Sequence, residues 1–142
     1  MAKHILPASV AAIGTTAFLW NAFGGVMAYQ NVVLAPSKLG AMSYAQQQVH
    51  LMTPLWANLA LVATVIAGLI GSIGLIRGRR WAAAWFLLSA LAMLVQLVGS
   101  VFASPKLDAH GIGSLAFPAA VLAVCAFLWS YSHRAEARGW LR

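Results

Sequence analysis

Four apolar runs, each long enough to cross a lipid bilayer, dominate the 142-residue chain. They cover about residues 7–34, 55–76, 81–103 and 112–131. A helix rises 1.5 Å per residue, so about 20 apolar residues span the hydrocarbon core. Inside that core no water is present to satisfy the backbone, and a helix satisfies its own N–H and C=O groups. The expected fold class is therefore all-α: a polytopic membrane protein with one four-transmembrane-helix bundle, residues 1–142 forming a single domain. Composition agrees, since 62% of residues are hydrophobic and 8% are charged, against about 25% charged in a soluble domain.

The breaks between the runs are informative. Pro7 suits a first helical turn, where its missing N–H would be unpaired anyway. The first run is longer than a crossing needs, so it must tilt or leave the hydrocarbon before Pro36 breaks it. It continues to about Ala35, beyond the roughly 7–15 residues of a signal-peptide core, so Lys3 precedes an uncleaved helix. Residues 36–54 form the longest loop. Within it Met42, Ala45, Val49 and Met52 recur at helical spacing, opposite Gln46, Gln47 and His50. This pattern predicts a short amphipathic outer-loop helix over Met42–Thr53, ended by Pro54. Arg77, Gly78, Arg79 and Arg80 make a tight basic turn, and a second outer loop carries Lys106, Asp108 and His110. The basic tail from Ser132 is expected to prolong the last helix by a turn or two.

The net charge of +7 could suggest nucleic acid as a partner, but the placement of the cations argues against it. Lys3, Arg77, Arg79, Arg80, Arg134, Arg138 and Arg142 fall on one side of the spans, and only Lys38 and Lys106 on the other. This is the positive-inside distribution, which puts both termini in the cytoplasm and makes the lipid bilayer the partner. Trp81, Trp85, Trp129 and Tyr131 then lie near the inner interface, and Tyr29 and Trp56 near the outer one.

Small residues form a stripe at spacings of three and four on every run. Examples are Gly14, Ala17, Asn21, Gly24, Gly25 and Ala28 on the first, and Ala116, Ala119, Ala123, Ala126 and Ser130 on the last. In lipid, close approach over small residues holds helices together, so each stripe is expected to face a neighbouring helix.

Chemistry-bearing residues are few. No acidic residue lies within a run; Asp108 is in a loop and Glu136 in the tail. Without paired carboxylates or a nucleophile motif, no enzyme activity is expected. Cys125 is a lone cysteine within an apolar run and reads as a small hydrophobe. His50 and His110, with Met42 and Met52 nearby in sequence, are the residues that haem or copper would use. Their spacing fixes no site, and no cofactor or metal is expected. The polar residues within the runs, apart from Asn21, crowd toward the outer leaflet. Asn21, Tyr29, Gln30, Asn31, Asn58 and Gln96 can line an outward-open pocket for a neutral hydroxylated solute; of these Asn21, Tyr29, Asn58 and Gln96 would supply its hydrogen bonds and Trp56 a stacking face. Alternatively, Asn21 and Gln96 bond each other or a nearby backbone, contributing about 0.6–2 kcal/mol each to the bundle.

The landmarks also recur in a particular order: Trp20-Asn21 with Gly24 and Tyr29, Pro54, Trp56-Ala57, Gly68 and Gly71, Arg79-Arg80-Trp81-Ala82, Ser89, Gln96, and the ending Ala137-Arg138-Gly139-Trp140-Leu141-Arg142. Together they resemble a family of small four-helix bacterial inner-membrane proteins commonly labelled sugar transporters. The resemblance covers nearly the whole chain. It implies a bacterial inner-membrane location and transport of a sugar-like solute. Many members carry an acidic residue just before the tyrosine of the first helix; here that position is Ala28, so ion coupling through such a carboxylate is absent. With only four helices, transport would need a homodimer or gating within one bundle. The competing reading is an accessory subunit packed against a larger membrane complex.

Overall fold

In the computed structural model, residues 6–33, 36–102 and 112–142 are described, and all their regular structure is helical. The elements are α1 (Ala8–Val32), α2 (Pro36–Gly40), α3 (Tyr44–Met52), α4 (Leu55–Ile76), α5 (Trp81–Phe102), a 3₁₀ turn (Ile112–Leu115) and α6 (Ala116–Ala137). Four of these, α1, α4, α5 and α6, are long and apolar enough to cross a membrane. The chain is a multi-pass membrane protein, as its apolar runs require. Lys3, Lys106, Asp108 and His110 lie outside the described residues.

Some boundaries differ from the sequence expectation. The first span stops at Val32 instead of Leu34, closed by Val33 N–H donating to Tyr29 O at 2.8 Å. Residues 112–115 are a 3₁₀ turn, so the last α-helix starts at Ala116 and places Pro118 in its first turn, where no backbone donor is needed. It runs past Tyr131 to Ala137. The short helix α2 has no counterpart in the apolar pattern. The amphipathic helix is shorter than Met42–Thr53 because Ser43 caps it. Ser43 Oγ accepts from Gln46 N–H (3.4 Å), and Gln46 Oε1 accepts from Ser43 N–H (3.1 Å), a capping box.

The helices pack in a row, α1 on α4, α4 on α5 and α5 on α6, while α1 and α6 meet only loosely. The stripe of α4 is buried as its small residues predict, at Ala57, Ala60, Thr64, Ala67, Gly71 and Gly74. Gly14, Ala17, Asn21 and Ala28 of α1 are buried too, as are Ala82, Ser89 and Gly99 of α5. The stripe assigned to the last helix is a correction. Ala116, Ala119, Ala123 and Ala126 are exposed, and α6 buries Pro118, Cys125, Leu128, Ser132 and Ala135. A buried contact, Ser89 Oγ to Cys125 Sγ at 3.7 Å, faces Cys125 onto α5. One residue along a helix is a turn of about 100°, so Ala126 and its set face elsewhere.

Ser89 also donates to Thr64 O at 2.8 Å, joining α5 to α4. Ser89→Ala is expected to cost about 0.6–1.7 kcal/mol, read from detergent-driven unfolding. An unchanged unfolding midpoint would show that the bond adds nothing to the bundle.

One end of the bundle gathers Arg77, Arg79, Arg80, Arg134, Arg138 and Arg142. Here α4 and α6 both terminate at a left-handed glycine, Gly78 (φ 65°) and Gly139 (φ 72°). Arg79 N–H returns to Gly74 O (2.8 Å), and Trp140 N–H to Ala135 O (3.0 Å), each closing a Schellman turn. The second turn sends the chain back across the first. Arg142 N–H donates to Gly78 O (2.7 Å), and Arg80 N–H to Arg142 O (3.0 Å). Leu141, 0% exposed, inserts into an apolar cluster with Val10, Leu75, Phe86, Leu128 and Ala135. That cluster closes the arginine end of the bundle.

Candidate functional site

At the opposite end the helices part around a cavity of about 300 Å³. Its polar lining comes from four elements: Asn31 on α1, Gln46 and His50 on α3, Asn58 on α4, and Gln96 and Ser100 on α5, with Thr53 between α3 and α4. Met42, Val49 and Leu61 supply apolar wall. Among the described residues no Asp, Glu, Lys or Arg lines it.

The amides there differ in what they have left to offer. Gln96 Nε2 donates to Ser100 Oγ at 2.8 Å. Its carbonyl Oε1 is buried and accepts from no group among the described residues. Gln46 Oε1 is occupied by Ser43 N–H, which leaves the Gln46 amino group as a donor. Thr53 Oγ1 donates to Val49 O at 2.6 Å and keeps its lone pairs. Asn31 and Asn58 have no side-chain hydrogen bond within the described residues. The wall thus presents both donors and acceptors without a formal charge on an acid, lysine or arginine.

A second, smaller cavity of about 100 Å³ lies beside the first and shares Asn31 and Leu61 with it. Asn21, Thr64 and Met93 line it among mainly apolar neighbours. Asn21 is 8% exposed, donates through Nδ2 to Ala17 O (2.8 Å), and packs against Gly68. Asn21 and Gln96 therefore do not bond each other. Each meets part of its hydrogen-bonding capacity on its own helix.

Of the residues singled out by sequence, Asn58 and Gln96 line the larger cavity and Asn21 the smaller one. Tyr29 and Trp56 line neither. Tyr29 is 65% exposed in a shallow groove with Val62 and Ile66, because Ala28 beside it takes the packed face. The half-exposed Trp56 ring lies over α5 at Gly99. Asn31, one of the outer-half polar residues that the sequence offered as pocket lining, lines both cavities, while sequence reasoning left Gln46, His50, Thr53 and Ser100 out of the site. Asn31 follows Asn21, Gly24 and Ala28 on one face of α1. Gln46 and His50 share the polar face of α3, four residues apart, and that face turns toward the cavity. Among the described residues no three His, Cys, Asp or Glu side chains cluster as metal ligands.

No family model, curated protein or solved structure matches the chain.

Proposed function

We propose that the protein binds a small neutral polar solute of sugar-like chemistry and passes it across the bacterial inner membrane, with the arginine end in the cytoplasm. The observation that carries this reading is the polar cavity, lined among the described residues by no acid, lysine or arginine, with a buried Gln96 carbonyl that no donor among those residues reaches. An unbonded buried acceptor costs about 1–3 kcal/mol, and a hydroxyl donor from a solute would recover it. The cavity volume is at the low end of ligand sites, about 300–1,000 Å³, which suits a small solute. The adjoining cavity at Asn21 continues from the first with mainly apolar walls, and the apolar cluster around Leu75, Phe86 and Leu141 closes the arginine end of the bundle.

The test is equilibrium binding and liposome flux over a panel of monosaccharides and polyols. Saturable binding of at least one member is expected. Neither binding nor flux across the panel rejects the reading.

The accessory-subunit reading draws support from α6, whose exposed alanines offer a close-packing face to another helix. Gentle solubilisation and pull-down tests it; recovery solely as a free monomer counts against it.

A further inference from the structure

We propose that the arginine end carries a binding site for the phosphate headgroup of an anionic phospholipid. A further cavity of about 300 Å³ opens there, lined by Arg77, Arg79 and Arg142 together with the apolar Leu6, Ile76 and Trp140. It sits where α4 ends at Ile76 and just ahead of the start of α1 at Ala8. Hydrocarbon gives way to headgroups at the ends of spanning helices, and an indole ring is at home at that level. The cavity therefore offers both kinds of contact a phospholipid needs: cations for the headgroup and apolar side chains for the start of the acyl chains.

The arginines are not all equivalent. Arg80 Nε donates to Leu141 O at 3.3 Å, and the Arg138 guanidinium lies 5.0 Å from the Trp140 ring centroid. The guanidiniums of Arg77, Arg79 and Arg142 pair with no carboxylate and bond no other group among the described residues. Glu136, the acidic residue nearest in sequence, does not line the cavity. Three arginines without a carboxylate partner among the described residues line one space, and an anion there offsets their like charge. A guanidinium also matches phosphate geometry with two parallel N–H donors.

The frame is already built. The turn at Gly78 and the pairing of Arg142 with residues 78 and 80 fix the backbone from which these side chains rise. Binding then orders only side chains, which lowers its entropic cost. The net positive wall favours phosphatidylglycerol or cardiolipin over phosphatidylcholine, whose choline cation it repels. This assignment does not depend on the solute reading.

The test is native mass spectrometry of the full chain in detergent with added phosphatidylglycerol, phosphatidylcholine or glycerol 3-phosphate. Phosphatidylglycerol adducts are expected to exceed phosphatidylcholine adducts by about tenfold. The double variant Arg77→Ala/Arg79→Ala is expected to remove most of that preference, while Arg134→Ala, exposed on α6 and outside the cavity, leaves it intact. Equal retention of the two lipids by the unmodified protein overturns the proposal, and needs no variant that folds. An equal loss in Arg134→Ala also overturns it, because the preference would then reflect diffuse charge. If glycerol 3-phosphate displaces the lipid at matched concentration, the site reads a free phosphate ester and the lipid assignment fails.

Discussion

Gly99→Val is expected to lower the stability of the bundle by about 3 kcal/mol or more. A Cβ at this position would lie 2.6 Å from the Trp56 ring and 2.7 Å from the Ala57 Cβ. Trp56 is half-exposed and can turn away. The Ala57 Cβ is fixed to the α4 backbone and fully buried, so α4 and α5 must separate to accommodate the new carbon. That interface is the centre of the row, and no hydrophobic drive brings helices back together in lipid once close packing is lost. The contrast is Gly24→Ala on α1, where an added Cβ meets nothing within 4 Å. There the helix propensity of alanine acts alone, and a gain of up to about 1 kcal/mol is expected. Denaturation of both variants in one lipid environment checks the pair. Equal effects of the same sign would mean that the α4–α5 contact is not as close as described.

Gln96→Leu separates solute binding from packing because the two effects have opposite signs. If Gln96 serves the solute, the variant loses an acceptor, and affinity is expected to fall by about tenfold or more. Stability is expected to stay level or rise by about 1 kcal/mol, because an unbonded buried carbonyl is removed. Ser100 loses the Gln96 amide but has another partner, which limits the offsetting cost. Binding measured alongside thermal unfolding of the same preparation gives both numbers. Lower stability with unchanged affinity assigns Gln96 to packing and removes it from the site.

The apolar runs made the four spans legible, since length and the absence of charge leave the backbone no other way across lipid. Small residues on α1, α4 and α5 located their packed faces for the same reason. On α6 that inference failed. It took the small-residue stripe as the face toward a neighbour, whereas α6 packs on α5 through the face that holds Cys125. Alanine is small enough for a helix interface and apolar enough for lipid, so its spacing alone did not fix a direction. The candidate site was half legible. Asn58 and Gln96 stood out as amides in apolar runs. The polar face of α3 blended into a loop that is polar in any case. Tyr29 and Trp56 drew attention by their chemistry, but one residue of helical rotation decides whether such a ring meets a cavity or the surroundings.

The return of residues 140–142 across the Arg77–Arg80 turn also sets an order in time. The Arg80 bond to Leu141 bridges 61 residues of sequence. At synthesis rates of about 5–20 residues per second, that interval is about 3–12 s. Once α5 is complete at Phe102, the α4–α5 hairpin exists without this strap for the rest of the interval, and the main-chain N–H of Arg80 has only solvent or headgroups to meet. The hairpin is thus among the earlier parts of the molecule to be made and among the last to be finished.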